Sequence, residues 1–470
     1  MDRVWITFLL AECILALIAE TDFTLCNITV LGARNSFHRP NNTLQSVPYQ
    51  WSEWRPRPGA LLQKHSCRAF DAEISWDNGM LTIVNVPHYD WNSSCSTLMQ
   101  CVSDIAHWSC VHPDHEPIFL IVKHSAGDGS ISGAMNAQMW LTVWNTISQA
   151  WSCNACRSID APDVTRIRYV ETCVAIASNY SASPLIINSH LVRGNAESVS
   201  AAVGVRGGSA WPDFQSARGK LVVAFGREAF GTGPEDAIAL SSDVGAFVMD
   251  SITTWLQHSA SAWTGFVRDN LEAQTMTDDT ALSEHLQMAT AAGLITVSMP
   301  DKYYTPLGLQ TAQYMQNSLE TFASIADTNG DQRVPLAEAA AFLSACGRRL
   351  QPKLVLGIMT THCGISASLA NSRGCDLKSF ARLLSSETPW VAQMPPSATQ
   401  AYNTVKRAVA SGASIVFGEY PGSTYSRYTM GYYTAFNNDA AVACRTGSTC
   451  SFSSAQTSLA SLELVNMKDD

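Results

Sequence analysis

Six short β-rich runs spread over residues 24–300 limit most strongly what this chain can fold into. They are "FTLCNITVLG", "RAFDAEISW", "LTIVNVP", "PIFLIVKHS", "GKLVVAFG" and "GLITVSMP". Turn residues or helix-like segments such as "STLMQCVSDIAHWSCVH" and "AMNAQMWLTVWNTISQAW" separate them. Repeated strand–helix units imply an α/β fold with a parallel sheet. A chain of 470 residues is long enough to close that sheet into a barrel and to carry a smaller module. A seventh run, "ASIVFGEY" at 413–420, follows a helical region, about 303–396, that interrupts the alternation. The chain therefore divides into a leader (1–20), a first barrel part (21–302), an insertion (303–396), a last barrel part (397–450) and a tail (451–470).

The leader "MDRVWITFLLAECILALIAETDF" has one Arg before an apolar run, with small residues near its end. That is a signal-peptide pattern; a signal anchor and a buried helix are the alternatives. No second run long enough to span a bilayer follows. The net charge of −10 and the lack of a basic tract argue against nucleic acid as a partner, but leave a lipid substrate open. Fourteen Cys, several locally paired (Cys95 with Cys101, Cys153 with Cys156, Cys444 with Cys450), suit disulfides in an oxidising compartment. Zinc is the other reading of "CNAC". Glycosylation sequons start at Asn27, Asn41, Asn92 and Asn179. Together these features predict a secreted or endomembrane protein.

Within the insertion, "DTNGDQRVPLAE" has the spacing of a calcium loop. Calcium takes six to eight oxygen ligands. Asp327, Asn329 and Asp331 occupy positions 1, 3 and 5. Arg333 offers its backbone carbonyl at position 7, and Glu338 at position 12 can bind through both oxygens. Helix-like segments flank the loop, as in an EF-hand. Gln332 stands where Gly normally makes the sharp turn, which should weaken or strain the site. A polar helix–loop–helix without metal is the alternative. A second stretch, 367–384, has the apolar spacing of a partner hand but lacks acidic ligands, with Arg373 where oxygen is wanted. It reads as a structural partner or as an unrelated helical hairpin.

In order and spacing, several segments resemble the calcium-dependent phosphoinositide phospholipase C-like phosphodiesterases. That family opens with Gly-Thr-His-Asn-Ser-Tyr-His, and Gly32–His38 reads "GARNSFH". "RAFDAEI" resembles its Glu-x-Asp strand, and "NVP" stands where it has His-Val-Pro. "SSCSTLMQCVSDIAHWSCVHPDHEPIFLIV", "WPDFQSARGKLVVAFG" and "VKRAVASGASIVFGEY" resemble later segments. The resemblance covers about 25–300 and 397–445. It implies a distorted TIM barrel with an inserted α-helical EF-hand pair, a phosphoinositide or other phosphodiester ligand, and calcium.

The resemblance also implies which residues carry the chemistry. The family cleaves its phosphodiester by attack of the neighbouring inositol hydroxyl. One histidine takes that proton, and a second protonates the leaving group or stabilises charge. Calcium sits on an Asn and three carboxylates. Here Asn35 keeps the Asn position, and Asp71 and Glu73 keep two carboxylates. The two histidine positions fall on Arg34 and Asn85, and the third carboxylate on Lys123. Arg stays protonated at any working pH, and Asn has no useful acid or base. Losing one acid–base group typically costs about 10² to 10⁴ in rate. An ammonium roughly 4 Å from a divalent cation is repelled by roughly 8 kcal/mol at an effective dielectric near 20. A cation at Lys123 or Arg34 would instead pair with Asp71 or Glu73, or hold a phosphate. His38, His88 and His124 are read as surface or structural residues.

These residues predict a barrel impaired in, or stripped of, the family's catalysis, with calcium in the EF-hand. The alternatives are an active phosphodiesterase with a rearranged acid–base set and a purely structural calcium-dependent interaction module.

Overall fold

Strands buried on both faces need cover on each side, and here the sheet gains it by closing on itself inside a layer of helices. A computed structural model describes residues 24–33, 36–37, 57–77, 80–84, 93–124, 136–152, 185–205, 210–227, 233–257, 260–269, 279–298, 326–345, 352–380, 408–409, 412–418 and 442–444. The strands in chain order are β1 (Ile28–Ala33), β2 (Ala69–Asp77), β3 (Met80–Ile83), β4 (Ile118–His124), β5 (Leu221–Gly226) and β6 (Phe247–Ser251). They continue with β7 (Thr264–Arg268), β8 (Ile295–Ser298), β9 (Arg333–Val334), β10 (Cys375–Asp376), β11 (Ile415–Gly418) and β12 (Val442–Cys444). Eight of them form a closed parallel barrel in the order β1-β2-β4-β5-β6-β7-β8-β11, with β11 returning to β1. The expected TIM-type α/β barrel is present.

Register shows which side chains point inward. Phe119 of β4 meets Phe266 of β7 with ring centroids 6.3 Å apart. Those strands are not neighbours, so the contact crosses the interior. Outside, Trp140 of the helix Ala137–Ala150 packs on Phe225 of β5. Asn136 caps that helix and Thr97 caps Leu98–Val111, each accepting a hydrogen bond from a first-turn backbone N–H.

The structure departs from the sequence reading at three strands. The start of "LTIVNVP" does form a strand, ending at Ile83, but β3 pairs antiparallel with β2 outside the barrel, Trp76 opposite Leu81 and Asp77 opposite Met80. Its first residue, Met80, is 56% exposed, so β3 lacks the two-sided burial of a barrel strand. The barrel instead takes β6 and β7, which the sequence reading missed. Each is five residues long, and β7 carries a Gly that the ring of Phe247 covers closely.

Beneath the barrel, Arg68 pairs with Glu116 at 3.0 Å and lies over the ring of Trp108. Next to them His115 is buried, with Nε2 2.7 Å from Ser109 Oγ. Burial pushes its imidazole down to about 3, and the Arg68 charge adds to the shift. An unfolded His titrates near 6.5. Below that pH the unfolded chain takes up a proton that the folded one refuses, so stability falls as pH falls. We expect the stability advantage of wild type over His115→Gln to shrink between roughly pH 6.5 and 5, by up to about 1.4 kcal/mol per pH unit. Urea unfolding of both proteins across that range measures it; parallel profiles would mean that His115 titrates normally.

Candidate functional site

Asp71 and Glu73 lie two residues apart on β2, hence on one face. Glu73 is in register with Lys123, and Asp71 with Ile121. Since Phe119 points inward, Ile121 and Lys123 do too, and the two carboxylates share that interior face. Lys123 is the penultimate residue of β4, and Asp71 and Glu73 lie beyond Phe70, where the neighbouring β1 ends, so the three face the C-terminal mouth where barrels of this type carry their sites. Lys123 Nζ is 2.6 Å from Asp71 Oδ1, with the side chains 19% and 4% exposed. This is a charge contact and not an aligned hydrogen bond: Asp71 Oδ1 accepts no hydrogen bond of good geometry. Gly226 of β5 leaves room for the lysine stem, since a Cβ there would come within 2.9 Å of Lys123 Cγ.

The loop after β1 is tied to the same place. Ser36 Oγ accepts a hydrogen bond from the Asp71 backbone N–H at 2.8 Å, and the Ser36 N–H donates to the Asp71 carbonyl at 3.3 Å. Phe37 stacks on Phe70 at 5.9 Å. Arg34, Asn35 and Asn85 lie outside the described residues, as do His38 and His88. His124 points away from Lys123, as strand alternation requires, but it is buried and not at the surface.

Sequence reasoning missed one cation. Arg268 ends β7 and shares the parity of inward-facing Phe266. It is half-buried, and no ion pair joins it to another described residue. The signal was "GFVRD", a charged residue closing a short apolar run. Arg227 is different: it pairs with Glu235 at 3.4 Å and with Asp250 at 3.5 Å on the barrel's outer side.

A calcium ion in the barrel would need the carboxylate oxygen that Lys123 already holds. The residues present do not fit it, and no step through a barrel calcium follows. Among the described residues, no cluster of three or more His, Cys, Asp or Glu is arranged to hold a metal.

The loop 327–338 is folded around its own carboxylates. Asp327 accepts from the backbone N–H of Asp331 at 3.1 Å and of Gln332 at 2.8 Å. Asn329 Oδ1 accepts from the Asp331 N–H at 2.9 Å, and Asp331 Oδ1 from the Arg333 N–H at 2.9 Å. Gln332 takes a φ of 64°, so it makes the left-handed turn that Gly usually makes. Glu338 accepts a hydrogen bond from Thr328 Oγ1 through Oε1, while its Oε2 is buried with no hydrogen-bond partner. An oxygen-rich loop with an unsatisfied buried carboxylate oxygen fits calcium chemically, given a turn of Glu338 toward the loop centre. β9, which follows Gln332, pairs with β10 (Val334 opposite Cys375), and the Leu377 N–H donates to the Gln332 carbonyl at 3.0 Å.

Of the expected disulfides, Cys95–Cys101 is formed. Cys153–Cys156 and Cys444–Cys450 involve residues outside the described ones. Cys363–Cys375 is formed as well and had not been expected. No helix among the described residues is long and apolar enough to cross a membrane.

Residues 55–234 match the family described as phosphoinositide phospholipase C, Ca2+-dependent. The match contains Asp71, Glu73, Asn85 and Lys123; it starts after Arg34 and Asn35 and ends well before the loop 327–338. The chain is also similar to a calcium-dependent phosphoinositol-specific phospholipase C from Pseudomonas sp. The identity is 13%, over 64% of this chain and 89% of that one, with a TM-score of 0.38. For the Ca2+-dependent phosphatidylinositol-specific enzyme of Streptomyces antibioticus the figures are 12%, 64%, 92% and 0.37. For the phosphatidylinositol-specific phospholipase C of Listeria monocytogenes they are 11%, 66%, 86% and 0.30. No curated protein matches the chain.

The buried ion pair gives a direct test. Lys123→Met strands a buried carboxylate, and Asp71→Asn strands an ammonium. We expect each to lower the unfolding free energy by about 2–4 kcal/mol, and the double variant to lose clearly less than the sum. Denaturant titration of the three variants measures this; additive losses would mean that the two charges do not interact.

Proposed function

Starting from a barrel whose residues 55–234 match the calcium-dependent phosphoinositide phospholipase C family, we propose that this chain is a phospholipase C-like phosphodiesterase homologue without the family's metal-assisted cleavage. Its barrel binds a phosphorylated ligand, and its insertion binds calcium. The observation that carries this reading is the Lys123–Asp71 contact at 2.6 Å. A fixed ammonium takes up the charge of the carboxylate that would otherwise face a metal. The two positions assigned to proton transfer hold Arg34 and Asn85, which cannot exchange a proton usefully near neutral pH.

What remains is suited to binding. The Lys123 ammonium has three donors, and one charge contact with Asp71 leaves others for a phosphate oxygen. Arg268, on the same inner surface, supplies a planar set of donors that suits a phosphate or a ring hydroxyl. An inositol phosphate or a related phosphodiester fits this chemistry. In the loop, Asp327, Asn329, Asp331, the Arg333 carbonyl and Glu338 would hold calcium, whose role there is to order the insertion. The formed disulfides, the sequons and the leader support a secretory route.

The test measures turnover of phosphatidylinositol and of a soluble phosphodiester, with and without calcium, alongside calorimetric binding of inositol 1-phosphate. We expect no calcium-dependent turnover. We expect binding that the charge-free double variant Asp71→Asn/Lys123→Met weakens by roughly 10- to 100-fold, as loss of a charge-assisted hydrogen bond does. Turnover that survives Arg34→Ala but disappears in His88→Ala would overturn the reading in favour of a relocated acid–base group.

A further inference from the structure

The helical insertion holds two loops that meet along a two-stranded sheet; the first gathers three carboxylates, whereas the second has Asp376, whose carboxylate accepts from the Ser379 N–H and hydroxyl. In the second, the chain does not wrap around a centre at all. It folds as the short helix Ala367–Ser372, whose cap is Ser366. What fastens this half is covalent: Cys363, at the end of the helix Pro352–Cys363, is joined to Cys375 of β10.

The position of that bond matters more than its presence. Cys375 is fully buried and stands opposite Val334, also fully buried, in the sheet pairing. Val334 lies inside the loop 327–338, between the ligand position Arg333 and the ligand Glu338. The approach of the two loops is backbone to backbone. Gly374, at a φ of 69°, has no side chain, and a Cβ there would come within 2.3 Å of the Val334 and Pro335 backbone. The Leu377 N–H then closes onto the Gln332 carbonyl, at the strained left-handed residue of the first loop. Anything that fixes β10 therefore also fixes β9 and the turn at Gln332. Ordering that is complete before a ligand arrives need not be supplied when it binds.

We propose that the Cys363–Cys375 disulfide does for the second half of this module what a second calcium ion would otherwise do, and that the calcium affinity of the loop 327–338 depends on it. The proposal rests on reading 327–338 as a calcium loop. The disulfide restrains β10 against the helix that precedes it. The sheet passes that restraint to Val334, and the first loop then binds its ion with less to order. Opening the bond takes two electrons and two protons. A dithiol such as dithiothreitol supplies them, yielding two cysteine thiols and its own cyclic disulfide. Coupling of this kind between neighbouring sites commonly changes affinity by about 5- to 150-fold.

The experiment is calcium titration by calorimetry on the full chain. It compares wild type, Glu338→Gln, and Cys363→Ala/Cys375→Val, which keeps an apolar side chain opposite Val334. Each is measured with and without dithiothreitol, and far-ultraviolet circular dichroism checks the fold. We expect wild type to bind calcium, Glu338→Gln to lose most of that binding, and the double cysteine variant to bind roughly tenfold more weakly or worse. Dithiothreitol should weaken wild type to the level of the cysteine variant and leave that variant unchanged. If wild type binds no calcium, the reading of the loop itself falls. If wild type binds and Glu338→Gln does not, while the cysteine variant binds as tightly as wild type, the loop stands and the dependence on the disulfide falls. If dithiothreitol weakens wild type and the cysteine variant alike, the effect comes from another disulfide and the proposal is overturned.

Discussion

The barrel closes at β1, and that seam has almost no tolerance. Gly32 pairs with Ala69 on one side and with Phe417 on the other. A Cβ at Gly32 would lie 2.6 Å from the Phe417 ring, so only glycine lets this aromatic side chain fill the interior at the joint. The same glycine starts the segment "GARNSFH", and Ser36 of that segment is bound to the Asp71 backbone. The contact that shuts the sheet also sets the loop above Asp71. Packing at the seam and geometry at the mouth are therefore one constraint, and a substitution at Gly32 would disturb both.

Charge inside a barrel has to be matched locally, and this molecule does so in two ways. Asp250, 1% exposed on the outer side, receives the Ser261 N–H, the Thr264 hydroxyl and the Arg227 guanidinium. It is saturated, which marks it as structural. Asp71 has one close cation and an oxygen with unused hydrogen-bonding capacity on the inner surface. A pair of this second kind contributes little to stability compared with an apolar packing of the same volume. Under the proposed binding role, its place at the mouth follows from what it presents to a ligand and not from what it adds to the fold.

Much of this was readable in the sequence, and the exceptions have physical causes. The runs for β1, β2, β4, β5, β8 and β11 are apolar and β-rich because both faces are buried. β6 and β7 are equally buried but short, and their ends carry Ser251 and Arg268, so no long apolar run announces them. β3 was misplaced because its composition was weighed without its connection. Asn78-Gly79 sits between Asp77 and Met80, a dipeptide that favours a tight antiparallel hairpin over a parallel crossover. The turn of the loop 327–338 around its own side chains was legible because the spacing of Asp327, Asn329 and Asp331 is local. The Cys363–Cys375 bond was not, since its partners are 12 residues apart and a short helix intervenes. Asp71, Glu73 and Lys123 could be listed from the resemblance, but the fact that Lys123 reaches Asp71 depends on Gly226 two strands from β2, which no local pattern encodes.

The insertion enters between β8 and β11, which are adjacent in the barrel. A parallel pair needs a long crossover in any case, so enlarging this one leaves every strand pairing intact. The sequence of the module is free to change as long as its ends return to that gap. The chain leaves β8 at its C-terminal end, the end at which Lys123 and Arg268 lie on their own strands. Because β8 and β11 run parallel, a module in that crossover leaves the barrel at the mouth and rejoins it at the floor end of β11, the side on which Arg68, Glu116 and His115 are locked together. That topology lets the crossover carry a module without any change in the strand pairings of the barrel.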